Sequence, residues 1–413
     1  MKGVAALDIK ASETSENSLA VEFCGLRLKN PFLLASAPPT TTGEMIARAF
    51  DQGWAGAVTK SLKLDSLAIE DVTPRLAVLR DNRNRIVAMG NIELITRRPL
   101  AVWIEELKTL KKSYPDRILI ASMMALSVKE DWQELTVRLQ DHVDALELNF
   151  SCPHGMPEHG MGMAVGQDPS ITGMITAWVK EVARVPVIVK LTPNVADIVP
   201  VARAARDAGA DALTAVNTVA SLVGVDLETL DPLPAVAGRG TWAGLSGPAI
   251  KPVGLRCVAQ VAQATGGPVL GVGGISSWRD AAEYMAVGAR AVQVGTAVML
   301  KGYGIVGALG EGLAGYLAEK GFASAGDLVG RALPRLGAHD DLSRTSRVVF
   351  RIDPETCNRC QACVTACRDG AYQAISGEKG AVPVIAADRC DGCSLCSHVC
   401  PVPGCITPRP VSA

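Results

Sequence analysis

The chain has 413 residues, 48% of them hydrophobic and 20% charged, with a formal net charge of −1. That length allows one large core and one small one, and the near-neutral balance supplies no basic field to draw nucleic acid or an anionic membrane. The apolar runs are strand-length and broken by Gly, Pro or charge, so no membrane span is expected. The opening stretch MKGVAALDIKASETSENS lacks the apolar core of an export signal, so residues 1–17 read as a polar lead-in and the chain as cytoplasmic.

From residue 18 to 336, strand-length apolar runs alternate with amphipathic helix-length stretches. Strands are predicted at 31–37 (PFLLASA), 56–62 (GAVTKSL), 118–124 (ILIASMM), 145–152 (ALELNFSC), 186–192 (PVIVKLT), 212–218 (ALTAVNT), 268–275 (PVLGVGGI) and 291–297 (AVQVGTA). They are almost wholly apolar rather than alternating, as parallel strands covered on both faces are. Three joints, FDQGWAGAV, RDAGADALT and MAVGARAVQ, repeat a helix end, a Gly, a small residue and a strand. They place Gly53, Gly209 and Gly288 just past helix ends, in the left-handed conformation that costs Gly little. Eight strands with eight helices over about 300 residues predict a (β/α)8 TIM barrel. A doubly wound sheet is the alternative. It would normally show fewer strands, and a dinucleotide-type glycine turn after the first, which is missing here.

Polar or small residues stand at nearly every strand end: Ser36, Lys60, Asn149, Cys152, Lys190, Asn217, Thr218, Gly273, Gly274, Gly295 and Thr296. In a barrel these ends converge on the face that carries chemistry. GVGGI (271–275) and QVGTA (293–297) end the last two strands, where barrels commonly bind phosphate through backbone N–H groups. The Gly- and Met-rich loop 153–166 reads as a mobile lid, with His154 and His159 shaping it. EELKTLKKSYPDR (105–117) reads as a solvated helix face, and Arg80, Arg83 and Arg85 as an exposed turn.

After a polar linker at 337–347 (GAHDDLSRTSR), the composition changes at 348–413. Of twelve Cys, eight lie between Cys357 and Cys400. Such clustering favours metal ligation in a reducing compartment over disulfides. Cys357, Cys360, Cys363 and Cys367 form one C-x2-C-x2-C-x3-C run, and Cys390, Cys393, Cys396 and Cys400 a second, 33 residues on. Two-residue gaps let a tight loop aim three thiolates at one cubane, and the fourth Cys of each run ligates the other cluster. The segment therefore predicts a bacterial-type ferredoxin domain of α+β build with two 4Fe–4S clusters, one on Cys357, Cys360, Cys363 and Cys400, the other on Cys390, Cys393, Cys396 and Cys367. A pair of zinc sites is the alternative, but zinc usually takes two separated Cys pairs. Arg368 stands where Pro often follows the fourth Cys, and its charge would raise the nearby cluster's potential. Cys405 is left over as packing.

Asn149-Phe150-Ser151-Cys152-Pro153-His154-Gly155 resembles the Asn-x-Ser-Cys-Pro motif of dihydropyrimidine dehydrogenases and some dihydroorotate dehydrogenases. The resemblance to dihydropyrimidine dehydrogenases covers most of residues 20–405. KNPFLLASAP, AVTKSL, GNIELI, LNFSCPHGM, HGMGMAVGQDP, VKLTPNVADIV, AVNTV, LSGPAIKPVGLR and GVGGI follow in order, and the ferredoxin module is one that dihydroorotate dehydrogenases lack. The layout is similar to that of bacterial subunits that carry FMN and clusters and work with a separate flavoprotein.

The resemblance implies that Lys60 and Lys190 contact FMN, with Ser36 beside them, and that Gly273, Gly274, Gly295 and Thr296 hold its phosphate. It implies that Asn91, Glu93, Asn149, Asn217, Thr218 and Gly244 bind a pyrimidine and that Cys152 is the general acid. The chemistry agrees. Asn offers donor and acceptor to the amide-like edges of a uracil or thymine ring, and a carboxylate accepts from its N–H. Reducing the 5,6 double bond takes a hydride and a proton, the latter from a thiol near neutral pKa. On residues alone, a lone Cys at a strand end is more often packing. Dihydroorotate or another cyclic unsaturated substrate is an alternative, as is an electron-transfer subunit with no substrate of its own.

No strand–GxGxxG–helix unit with a trailing acid is found, and GALGEGLAG (307–315) falls in a helical stretch. The chain is therefore expected to receive electrons through its clusters from an FAD/NAD(P)H-binding flavoprotein subunit. The resemblance further implies a homodimer within a hetero-oligomer.

Overall fold

The computed structural model describes residues 18–154 and 156–411. The polar lead-in expected over 1–17 lies outside the described residues, as does Gly155 of the loop after Cys152. The chain divides into two compact units at Arg335/Leu336.

The first unit is a closed barrel of eight parallel strands. They are β1 Phe32–Leu34, β2 Gly56–Val58, β3 Ile118–Met123, β4 Ala145–Asn149, β5 Val187–Leu191, β6 Ala212–Ala215, β7 Val269–Val272 and β8 Ala289–Val294. Each strand neighbours the next, and β8 closes on β1 through Val292–Phe32 and Val294–Leu34 pairing. After each strand comes its helix: α1 Gly43–Asp51, α2 Leu100–Ser113, α3 Lys129–Leu139, α4 Pro169–Lys180, α5 Val199–Asp207, α6 Lys251–Thr265, α7 Trp278–Ala286 and α8 Ile305–Lys320. The apolar strand runs exist because both faces are covered. Interior residues fill the barrel, and the outward ones pack under helix side chains such as Trp103, Trp132 and Tyr284 and under Trp54 of the α1–β2 turn, all fully buried. The three predicted helix ends appear as expected, with Gly53, Gly209 and Gly288 at φ +104°, +97° and +110°.

Most strands stop short of their predicted C-terminal ends. β2 ends at Val58 and β6 at Ala215, so Lys60, Asn217 and Thr218 stand on loops just beyond the sheet. Two of these loops are long. The β2–α2 loop carries a hairpin, Leu76–Arg80 with Ile86–Asn91, and the β6–α6 loop carries Val219–Ser221 and Ala243–Ser246. Together they make a four-stranded antiparallel sheet with Ile86–Asn91 and Ala243–Ser246 in its centre. In it Gly244 sits opposite Asn91. At the other barrel end a hairpin, Val21–Phe23 with Leu26–Leu28, buries Val21, Phe23 and Leu28, and the Cys24 thiol donates to the Asp211 carbonyl just before β6.

The second unit pairs Val348–Ile352 with Ile406–Pro410 and holds two helices, Ala362–Gly370 and Leu395–Val399. Its own small core contains Phe350, Ile352, Ala374, Ile375 and Ile406 together with Cys363, Cys367, Cys396 and Cys405. Among the described residues no helix is long and apolar enough to cross a membrane.

Candidate active site

At the C-terminal ends of the barrel strands lies a cavity of about 280 Å³. Ser36, Lys60, Asn91, Glu93, Asn149, Cys152, Lys190, Asn217, Thr218, Gly273, Gly274, Gly295 and Thr296 all line it. Gly244 does not. It lies in the sheet behind Thr218, where a Cβ would come 2.2 Å from Thr218 Oγ1.

One side of the cavity is a polar array held from several strands. Asn149 Nδ2 donates to Ser61 Oγ at 2.8 Å, and its Oδ1 accepts from Ser151 Oγ at 2.9 Å and Asn217 Nδ2 at 3.3 Å. Asn217 Nδ2 also donates to Ser151 Oγ at 2.8 Å, and its Oδ1 accepts from the Thr218 N–H at 2.8 Å. Ser61 shares a 2.8 Å hydrogen bond with Ser122. Each partner fixes which end of an asparagine amide faces which way. Ser61 and Ser122 sit within buried apolar-looking runs, and sequence reasoning passed over them. On the adjoining wall Lys60 Nζ donates to Glu93 Oε2 at 2.7 Å, with Arg75 3.8 Å from the other carboxylate oxygen. Asn91 Oδ1 accepts from the Glu93 N–H, so the two candidate ring-binding residues are locked together.

Cys152 is 8% exposed and packs with Ile95, Met124, Met156 and Met161. Its thiol donates to the His154 carbonyl at 3.4 Å. Burial among these apolar side chains pushes the thiol pKa up, against the smaller lowering by the His154 backbone and by Lys60. A thiol near neutral pKa was expected. The structure instead gives one that stays protonated well above neutral pH. His154 is also buried, which lowers its pKa. Its Nε2 lies 3.0 Å from the Glu93 carbonyl, so the proton of the neutral ring sits on Nε2. Met156 and Met161 tuck the loop over the strand end, and the Met163 N–H donates to the Cys152 carbonyl at 2.9 Å.

The opposite side is rich in glycine, with Gly247, Gly273, Gly274 and Gly295 in its lining. Gly273 and Gly274 lie at φ +130° and +72°. A Cβ on Gly274 would meet the Gly247 carbonyl oxygen at 2.8 Å and the Lys251 nitrogen at 2.9 Å. Gly295 precedes the short helix Thr296–Lys301, and Thr296 Oγ1 donates to Ser246 Oγ at 2.8 Å. Asp280 ties the loop down by accepting from Lys251 Nζ and from the backbone N–H groups of Ser276 and Ser277. A tight turn that side chains would fill leaves room for phosphate oxygens to reach backbone N–H groups. Lys301 also lines this end, a cation that sequence reasoning did not single out.

The Lys-rich segment forms α2, with Lys108 and Lys112 exposed and Lys111 paired to Asp144 at 2.5 Å. Arg80, Arg83 and Arg85 are exposed around the hairpin turn, as expected, with Arg85 paired to Asp81.

In the second unit the two cysteine runs adopt the same loop. Arg359 and Gly392, second in each C-x2-C gap, have φ +60° and +76°, and Gln361 and Ser394, just after the second Cys, have +63° and +69°. Cys367, Cys390, Cys393 and Cys396 line one small cavity together with Phe350, Ile375 and Ile385. That is the mixed set expected for one cluster. The Ala374 N–H donates to Cys367 Sγ at 3.3 Å and the Arg359 N–H to Cys357 Sγ at 3.4 Å. Burial, and then the nearby Cys390, Cys393 and Cys363, push the Cys396 thiol up to about 11, so iron binding would have to release its proton. Among the described residues no three His, Cys, Asp or Glu side chains close on a point for a single ion. Cubane ligation does not ask for one, because its thiolates sit on separate irons. Arg368 forms a two-pronged pair with Asp369 at 2.8 Å on the surface, which compensates the charge expected to tune a cluster.

Residues 18–317 match the family model for dihydroorotate dehydrogenase, and residues 350–407 that of the 4Fe-4S dicluster domain. The chain is 39% identical over 393 residues to the NAD-dependent dihydropyrimidine dehydrogenase subunit PreA of Escherichia coli, covering 94% of each. It is 40% identical over 353 residues to the chloroplastic dihydropyrimidine dehydrogenase (NADP(+)) of Arabidopsis thaliana, 83% of each. The chain belongs to the dihydropyrimidine dehydrogenase family. It also matches the catalytic subunit of dihydroorotate dehydrogenase B (NAD(+)) from Pyrococcus abyssi, at 37% identity over 76% of this chain and 99% of that one. The protein is thus an oxidoreductase of CH–CH bonds, a barrel of a flavin-dependent family joined to an iron–sulfur domain.

Proposed function

We propose that the barrel binds FMN and reduces the 5,6 double bond of uracil or thymine, reversibly, with Cys152 as general acid. The observation that carries this reading is the convergence, in one cavity, of an amide-reading array and a protonated thiol opposite a glycine-rich phosphate cradle. The FMN phosphate would lie against Gly273, Gly274, Gly295 and Thr296, with Lys60, Lys190 and Ser36 nearer the ring. The chemistry FMN supplies when bound is hydride delivery to one carbon of the double bond.

The chain's own residues do the rest. Asn91, Asn149, Asn217 and Thr218 orient the ring through its amide edges, and Glu93 accepts from a ring N–H. Gly244 leaves Thr218 the room to take its place. Cys152 gives its proton to the carbon neighbouring the one that takes the hydride, and its apolar surroundings keep that proton in place until then. The Met-lined loop excludes water from the thiol.

Two 4Fe–4S clusters, on Cys357, Cys360, Cys363 and Cys400 and on Cys390, Cys393, Cys396 and Cys367, would supply the electron path from an FAD/NAD(P)H-binding flavoprotein subunit. A reducing cytoplasm suits those thiolates. A homodimer of this chain within the hetero-oligomer completes the assembly.

Dihydroorotate is the other ring to weigh, given the Pyrococcus relative. Its carboxylate would enter a cavity whose wall already presents the Glu93 carboxylate, with Lys60 committed to it. Beside Glu93 a neutral ring avoids that repulsion. Turnover assays with uracil, thymine, orotate and their dihydro partners decide: uracil or thymine is expected to turn over, and turnover of orotate alone would overturn the proposal.

A further inference from the structure

Four polar side chains meet inside the barrel, one layer below the cavity, among otherwise apolar strand residues. Glu147 lies two residues before Asn149 on β4, hence on the same inward face and deeper, and it is 0% exposed. Its Oε2 accepts from Thr214 Oγ1 on β6 at 2.9 Å and from Gln293 Nε2 on β8 at 2.7 Å. Its Oε1 has no hydrogen-bond partner among the described residues, and Lys190 Nζ from β5 stands 3.5 Å away. Lys190 Nζ is also 3.5 Å from Gln293 Oε1. Lys190 and Gln293 reach the cavity, and Glu147 does not.

A buried carboxylate needs a counter-ion, and Lys190 is the cation set against it. The carboxylate also decides how the Gln293 amide faces. Its NH2 is committed to Glu147, which turns its carbonyl oxygen toward Lys190. We propose that Glu147 is a positioning residue that compensates the Lys190 charge and aims it at the cavity floor, and so sets the field a flavin bound there experiences. This rests on the cavity being the flavin site.

The signs follow from the charges. Glu147 and Lys190 together are neutral. In E147Q the amide oxygen must serve Thr214 and Gln293, which turns its NH2 toward the ammonium. Lys190 is then an uncompensated cation beside the cavity floor. Anaerobic redox titration of the full holoprotein at neutral pH reads this directly. The flavin midpoint of E147Q should lie above wild type, and E147D should behave as wild type. An E147Q midpoint equal to wild type would overturn the proposal. The pair is also tested without flavin, by thermal melting of the apoprotein. E147Q/K190M, lacking both charges, should melt higher than E147Q, and no recovery in the double variant would overturn the pairing. A wild-type chain that binds no FMN while the melts still show coupling would sink the cofactor reading and leave the ion pair standing.

Discussion

Cys152 brings together local motif and surrounding packing. Four apolar neighbours, Ile95, Met124, Met156 and Met161, withhold solvent from its sulfur and raise its pKa above the ordinary 9.0. A general acid must be protonated when the substrate arrives, so ring reduction should hold across neutral pH and fall only as pH rises through the raised thiol pKa. A kcat profile that fell with rising pH well below 9.0 would assign the acid elsewhere. Cys152→Ala should still bind FMN and pyrimidine, while turnover drops by about 10²–10⁴-fold, the usual contribution of a positioned acid. Cys152→Ser should recover little, because a hydroxyl is a much weaker acid. Reduction of the flavin by an artificial donor should be unchanged in both, and measuring the two half-reactions separately distinguishes a lost acid from a damaged fold. Near-normal turnover by Cys152→Ala would shift attention to Ser151, which already donates to Asn149 in the same array.

Two elements shape the cavity from opposite sides, and each can be disturbed by one methyl group. In the capping sheet, Gly244→Ala would drive a Cβ to within 2.2 Å of Thr218 Oγ1 and 3.2 Å of Pro153 Cγ. Thr218 must then move, and misplacement on that scale costs on the order of 10²-fold in kcat/KM. FMN content should be normal, since the phosphate loop lies elsewhere. In the β7–α7 turn, Gly274→Ala meets backbone atoms at 2.8 and 2.9 Å at φ +72°. Neither the Gly247 carbonyl nor the Lys251 nitrogen can step aside as a side chain does. This variant should purify folded but with little flavin, as an absorbance spectrum and FMN titration would show. Full flavin content in Gly274→Ala would mean that the phosphate lies somewhere else.

The whole molecule is two units with separate cores, the barrel's around Trp54, Trp103 and Trp132 and the smaller one around Phe350 and Ile352. Anaerobically purified protein should hold one FMN and about eight iron atoms per chain. Zinc in place of iron would contradict the cluster assignment. Deleting residues 347–413 should leave a folded, flavin-binding barrel, because the barrel's core owes nothing to that segment. Such a barrel should be cut off from its electron source. Continued reduction by the native partner would mean that the clusters are not the route. The intact chain alone should not oxidise NADH or NADPH at a useful rate, yet it should reduce a pyrimidine with a low-potential artificial donor.

The sequence by itself determined what depends on short stretches of chain. Parallel strands covered on both faces must be continuously apolar, so PVIVKLT and ALELNFSC announce themselves. A C-x2-C-x2-C loop carries its ligand geometry in its own backbone, and so do the glycine turns that end α1, α5 and α7. The strand-end residues were legible for the same reason, since a polar residue ending an apolar run stands out. Tertiary structure alone decided what depends on pairing at a distance. The capping sheet joins Ile86–Asn91 to Ala243–Ser246, short segments from two loops more than a hundred residues apart, and neither has a periodicity of its own to betray it. Glu147 and Gln293 look like isolated breaks in apolar strands until closure of the barrel sets them 2.7 Å apart. Gly244 belongs to the site only through Thr218, which stands on the neighbouring strand's loop. The raised pKa of Cys152 comes from Ile95, Met124, Met156 and Met161, three segments of chain that only the fold gathers around one sulfur, because burial is a property of what surrounds a group rather than of its place in the sequence.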